Sequence, residues 1–291
     1  MLGPRDRLDL DRDGLDWPGR SASRIVPSGG VRWHVQEAGD GPCVLLLHGA
    51  GGATHSWGGV FAPLARSAHV IAVDLPGHAF SGPAPPGRAT LPGIAALLGE
   101  LMATLGTRPT LIVGHSAGAA VALQMVAASI AAPKGIIAIN GALTPFRGAA
   151  GIAFPQMARM LALNPFVPRF IARTASDPAS VRRLLAATGS EPSERMVDLY
   201  GRLVAAPSHV RGTLDMMAGW RLEPLLDALP DIETPVTAVL AKGDRAVPPS
   251  ETRRAVATLP HHDILEVEGG HLWHEDRPAE ALGLIEGHLS R

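Results

Sequence analysis

One cysteine, Cys43, is all the chain carries, so no intrachain disulfide can form. It sits in the apolar run Cys43 to Leu47, where a buried, inert thiol is expected rather than a reactive one. Long hydrophobic runs are missing too: Arg, Pro or Gly interrupts every stretch before the roughly 18–20 apolar residues that cross a bilayer, which leaves only surface attachment to a membrane open. The charges nearly cancel, to −1 overall, and no basic run is interleaved with aromatics. Nucleic acid is therefore not an expected partner. Charged residues run from Arg5 to Asp16 with no apolar h-region, which argues against a cleaved secretory signal and for a cytoplasmic protein. Repeats and low-complexity tracts are absent, apart from the short Pro/Gly-rich loop Pro83 to Gly87.

What is present is core material. Apolar residues make up 46% of 291 residues and charged residues 18%, enough for a two-sided core in one α/β unit with an insertion. Residues 1–23 are polar, contain Pro4 and Pro18 and show no sustained period, so they read as a tail, with folded structure starting near Arg24. Val31 to Glu37 alternates as an outer strand would. Val44 to Leu47, Val70 to Val73, Thr110 to Val113 and Gly135 to Ile139 are continuous apolar runs of the central parallel kind. Helical patterns at Gly93 to Leu105 and Ala117 to Ile130 lie between them. After Asn140 the alternation stops, resuming at Val236 to Ala241. A helix at Ser250 to Leu259, a strand at Ile264 to Val267 and a helix at Pro278 to Leu289 follow. The expected organisation is a doubly wound core, 24–141 and 221–291, with a helical lid at 142–220.

Gly114-His115-Ser116-Ala117-Gly118 matches G-x-S-x-G and stands between an apolar strand and a helical run. A sharp strand-to-helix turn there holds the serine hydroxyl above the sheet, with small residues needed where the backbone crowds its neighbours. Serine is a weak nucleophile at its own pKa and needs an imidazole to take its proton. Of twelve histidines, His271 is preferred, because Gly269-Gly270-His271 follows the last strand on the edge where Ser116 emerges. His274 is expected to enter the last helix as a polar surface contact; His261 and His262 precede a strand at the opposite edge. Asp244, just beyond Val236 to Ala241, is the carboxylate expected to orient the imidazole, whereas Asp227, Asp231 and Asp263 lie at the wrong strand ends. Charge developing on a carbonyl oxygen calls for pre-aimed N–H donors, each worth roughly 3–4 kcal/mol in the barrier. The backbone N–H of Ala117 and that of Ala50, with Gly51 as second choice, fill that role. No G-x-G-x-x-G or G-K-[ST] supports a nucleotide reading of the Gly-rich loop at His48 to Gly52. Asp74 and His78 are read as residues that fix a loop, not as catalysts.

Through His48-Gly49, Asp74 to Ser81, Gly114 to Gly118, Gly243-Asp244 and Gly270-His271, the chain resembles the α/β-hydrolase superfamily over Arg24 to Leu289. The resemblance implies a mostly parallel, eight-stranded sheet with an inserted helical lid. It also implies a Ser116–His271–Asp244 triad with an oxyanion hole at Ala50 and Ala117. Ala79 departs from the superfamily, which usually has a second Gly there, and this puts that loop's shape in doubt. More narrowly, Asp16-Trp17-Pro18, Gly30 to Gln36, His55-Ser56-Trp57 and His115 to Ala120 resemble the magnesium-chelatase accessory proteins of bacteriochlorophyll biosynthesis. That implies a cytoplasmic protein whose neighbour is a tetrapyrrole pathway enzyme or intermediate, but no particular reaction.

Gly151 to Arg173 combines apolar residues, among them Ile152, Phe154, Met157, Met160, Leu161 and Leu163, with Arg159, Arg169 and Arg173. Nine Arg stand against five acidic residues from Thr144 to Trp220, so a basic lid could favour anionic substrates or lipid head groups. Simple packing of the lid on the core is the readier explanation of the apolar residues. Met157, Met160, Met216 and Met217 suit an adaptable pocket for a large apolar ligand, though Met is also ordinary filler. His271, His274 and Glu275 do not match H-E-x-x-H, and neither a metal nor a cofactor is expected. Two functions remain in play. One is a serine hydrolase acting on an ester, thioester or related carbonyl bond of a bulky apolar substrate. The other is a non-catalytic accessory that binds a porphyrin or a chelatase subunit.

Overall fold

The computed structural model describes residues 6–144, 166–175 and 177–290. Eight strands form one sheet in the order β1-β2-β4-β3-β5-β6-β7-β8. They are β1 Ser23–Ser28, β2 Val31–Ala38, β3 Cys43–Leu47, β4 His69–Val73, β5 Leu111–His115, β6 Gly135–Ile139, β7 Val236–Ala241 and β8 His262–Val267. β2 runs antiparallel to both its neighbours, β1 and β4, and every other pairing is parallel. Val31 to Glu37, expected as an outer strand, is second in the sheet, because β1 pairs outside it. β1 escaped notice because Ser23, Arg24, Pro27 and Ser28 leave only Val26 buried, and proline is tolerated at such an edge.

Side chains on the central strands alternate between two buried layers. On one face Leu45, Leu47, Ile112, Ile136 and Ala138 pack with α3 (Leu91–Leu105) and α4 (Ala117–Ala127). On the other, Val44, Leu46, Val113 and Ile137 meet Trp57, α2 (Gly58–Leu64) and the C-terminal helix Pro278–Leu289. A run that is apolar at every position is what a strand covered on both faces requires.

Residues 6–22 are not the featureless tail the sequence led us to expect. Asp9 caps a short helix, α1 (Leu10–Asp13), through the N–H groups of Asp11 and Arg12. Trp17 is buried beside Phe80, His55 and Tyr200, and its Nε1 donates to Thr54 Oγ1 at 3.0 Å. A single aromatic surrounded by polar neighbours gives no periodic signal, so only the tertiary structure exposes it.

The inserted lid between β6 and β7 contains α5 (Val167–Ala175), α6 (Pro178–Ala187), α7 (Glu194–Val204) and α8 (Pro207–Ala218). The apolar Ile152, Phe154, Met157, Met160, Leu161 and Leu163 expected in the lid, and the basic Arg159 among them, lie outside the described residues. Five arginines among the lid's described residues stand in ion pairs. Arg169 pairs with Asp6, Arg182 with Glu194, Arg195 and Arg202 with both Asp16 and Asp198, and Arg211 with Asp215. After the lid come α9 (Glu223–Ala228), α10 (Pro249–Val256), α11 (Trp273–Asp276) and α12 (Pro278–Leu289). Among the described residues, no helix is long and apolar enough to cross a membrane.

Candidate active site

Ser116 occupies the turn between β5 and α4 with φ 52° and ψ −116°, a conformation that costs a non-glycine residue energy. The surroundings enforce it. Its N–H donates to the Ile139 carbonyl at 2.9 Å, and its own carbonyl accepts from Ala119 and Ala142. A Cβ on Gly118 would lie 2.3 Å from the Leu47 carbonyl oxygen, and one on Gly114 2.5 Å from the Ala119 nitrogen. Only glycines let the helix start this close to β3.

Asp244 and His271 leave the C-terminal ends of β7 and β8, as their positions in the sequence predicted. Asp244 Oδ1 accepts the N–H groups of Ala246 and Val247 at 2.8 and 2.9 Å, which turns the carboxylate inward. Its Oδ2 lies 2.7 Å from His271 Nδ1, with the carboxylate buried. A carboxylate accepts, so Nδ1 carries the proton and Nε2 keeps a free lone pair. Ser116 and His271 line one cavity of about 390 Å³, along with Ala50 and Ala117. Among the described residues no hydrogen bond joins the Ser116 hydroxyl to the His271 ring; such contacts commonly tighten only when substrate is bound.

Several residues that hold this arrangement were not singled out from the sequence. Asn140 Nδ2 donates to the carbonyl oxygens of Gly270 (3.2 Å) and His271 (2.9 Å), while its Oδ1 accepts from Ala241 N–H. His115 Nε2 lies 2.9 Å from the same His271 carbonyl and must be the donor there. Burial holds His115 neutral, well below the usual histidine range. From the lid, the Thr188 carbonyl accepts from both Arg245 and His271 N–H groups, and Ser190 Oγ accepts from Leu272 N–H. Asn140 follows an apolar strand as Asp244 does, which is the one sequence signal that could have marked it.

His274 overturns an expectation. Instead of making a surface contact it is fully buried, its ring 4.4 Å from that of His115 and 4.6 Å from that of Trp57. Burial pushes its pKa down to about 3. The cause is α11, a single turn that folds the chain back under His271 before the last helix begins. Among the described residues, no group of three or more His, Cys, Asp or Glu is arranged to hold a metal ion.

Asp74 fixes its loop as expected. Its Oδ1 accepts from Thr54 N–H, and its Oδ2 lies 2.7 Å from His34 Nδ1 and accepts from Phe80 N–H. Ala79, where the superfamily usually has glycine, adopts φ 39° and so keeps the glycine-like conformation. Its N–H donates to His209 Nδ1 of α8, whose Nε2 reaches the Gly51 carbonyl. His48 Nε2 likewise accepts from Leu75 N–H, with His48 Nδ1 on the Gly49 carbonyl. His78 hydrogen-bonds the Pro76 carbonyl through Nδ1. Neutral imidazoles, each one donor and one acceptor, thus tie the Asp74 loop, the Ala50 loop and the lid together.

Comparison with known proteins agrees with this architecture. A family profile described as the alpha/beta hydrolase fold matches residues 42–278. The chain is 40% identical to the magnesium-chelatase 30 kDa subunit of Rhodobacter capsulatus over 93% of this chain and 95% of that one. It is 31% identical to a pimeloyl-[acyl-carrier protein] methyl ester esterase of Xanthomonas oryzae pv. oryzae, over 86% of this chain and 96% of that protein. Among solved structures, a candidate lipase of Acinetobacter baumannii AYE superposes with a TM-score of 0.77 at 18% identity, covering 99% of this chain and 98% of the other. At that identity the likeness speaks for the fold alone.

Proposed function

The chain belongs to the alpha/beta hydrolase fold family, and from that membership we propose that it is a serine hydrolase cleaving an ester, thioester or related carbonyl bond of a bulky apolar substrate. Ser116 Oγ attacks the carbonyl carbon while His271 Nε2 takes its proton, and Asp244 holds the ring and stabilises the imidazolium. The N–H groups of Ala50 and Ala117 receive the charge on the former carbonyl oxygen, the latter helped by the start of α4. Collapse of this intermediate expels the alcohol or thiol, which leaves with the proton from Nε2, and the acyl group remains on Ser116. Water activated by the same nitrogen then releases the acid.

One observation carries this reading. The Asp244–His271 pair, at 2.7 Å, leaves Nε2 free at a cavity whose wall also contains the strained Ser116 turn. The test is fluorophosphonate labelling and ester turnover with the native protein and Ser116→Ala. Labelling should disappear, and kcat should fall by about 10⁴-fold or more; label or turnover that persists without the hydroxyl would end the proposal.

The likeness to a chelatase subunit favours a second reading, in which the protein serves bacteriochlorophyll synthesis by binding a tetrapyrrole or a chelatase partner without catalysis. Complementation separates the two. Ser116→Ala that folds but does not restore pigment in a deletion strain supports hydrolysis; full restoration supports the accessory role. Membrane-surface contact belongs to this second reading as well and is tested by vesicle flotation.

A further inference from the structure

The cavity beside Ser116 joins the proposed catalytic residues to a largely apolar wall. Ala50, Ser116, Ala117 and His271 line it together with Met216, Met217 and Trp220 of the lid, Leu222 just after it, and Val247 and Glu251 from the core. Its volume, about 390 Å³, lies within the range of about 300–1,000 Å³ usual for small-molecule sites. No Lys or Arg lines it among the described residues, and apart from the His271 imidazole Glu251 is its one ionisable side chain. Among the lid's described arginines, Arg182, Arg195, Arg202 and Arg211 are committed to ion pairs elsewhere. Glu251 is half-buried. It stands in the first turn of α10, and its neighbour Thr252 is buried with its hydroxyl donating to the Gly141 carbonyl at 3.0 Å, which fixes that turn against the strand end beyond Ser116.

A carboxylate in a mostly apolar wall interacts over short range with a chain bound beside it, less screened than on an open surface. We propose that Glu251 sets the charge class of the substrate, admitting chains that are uncharged or cationic at that wall and rejecting those that carry a carboxylate there. The proposal deepens the hydrolase reading, since it rests on this cavity being where substrate binds.

The test measures binding, not turnover, so that it stands apart from the chemistry of Ser116. Decanol, decylammonium and decanoate share one chain and differ in charge; each is titrated calorimetrically into the full-length protein at neutral pH. Decanol and decylammonium should bind about tenfold or more tightly than decanoate. The near-isosteric Glu251→Gln should close most of the gap between decanoate and decanol, and Glu251→Lys should make decanoate the best ligand. An unchanged ranking in Glu251→Gln, tight decanoate binding to the native protein, or no binding of any of the three overturns the inference. Glu251→Gln alone decides if the lysine variant does not fold. A native protein that takes no fluorophosphonate label while keeping the charge ranking would refute the serine chemistry and leave this inference standing.

Discussion

The carbonyl oxygen of His271 receives donors from Asn140 and from His115, so the backbone of the proposed base is held by groups that need not touch substrate. Asn140→Ala leaves that grip halved and strands the Ala241 N–H. Each buried group without a partner costs about 1–3 kcal/mol, and the expected result is a fall in kcat of about ten- to a hundredfold with KM little changed. A change confined to KM would mean that Asn140 acts on binding instead. Glu275 makes a second residue-scale prediction. Burial raises its carboxyl to about 7 from an ordinary 4.5, against the pull of hydrogen bonds from Tyr200 and Ser56. The folded protein thus keeps a proton that the unfolded chain has lost, and this contribution is complete below 4.5 and drains away as pH rises through 7. Glu275→Gln should therefore be more stable than the native protein at about pH 8, by roughly 2–3 kcal/mol. Melting curves across pH would check this, and parallel curves for the two proteins would refute it.

At the scale of elements, the decisive seam is where the lid meets the two loops bearing Asp244 and His271. Gly189 packs so closely that a Cβ there would lie 1.9 Å from the Gly243 carbonyl oxygen, at a φ of 86°. The N-terminal segment reinforces the lid from outside, and magnitudes separate its two contacts. Asp16 bridges Arg195 and Arg202 while half exposed, a setting in which ion pairs contribute about 1 kcal/mol or less. Trp17 is 2% exposed, and truncating a buried aromatic costs about 3–5 kcal/mol. Urea denaturation should accordingly find Trp17→Ala severely destabilised and Asp16→Ala nearly native; the reverse order would put electrostatics in charge of the segment. The central parallel strands and the turn at Ser116 are legible in the sequence because each is written locally, as an apolar run with glycine, aspartate, asparagine or histidine at or just beyond its end. Trp17, the burial of His274 and the grip of Asn140 were not, because each depends on partners distant in sequence. The same is true of Glu251, which reads as an ordinary first-turn acid until Met216 and Trp220 are brought opposite it.

For the molecule as a whole, the buried histidines dominate the response to acid. Burial lowers His48 to about 4, His55, His78, His209 and His274 to about 3, and His115 well below its usual value. Unfolding frees them to titrate near 6.5, so stability is fully present above that value and is lost as pH falls toward 4, at about 1.4 kcal/mol per pH unit for each proton. For His48 and His209 the reason is geometric, because protonation would turn an acceptor that faces an N–H into a second donor. Cooperative loss of near-ultraviolet circular dichroism is expected between about pH 6 and 4, above the range in which ordinary carboxylates titrate. A protein still folded at about pH 4 would show that these rings become solvated without global unfolding. The docking of residues 6–22 bears on how such proteins diversify. Recombination that grafts a cap from one relative onto another would have to transplant two separate stretches, the insertion and the leading segment around Asp16 and Trp17, or the chimera would carry a cap whose outer helix has lost its latch.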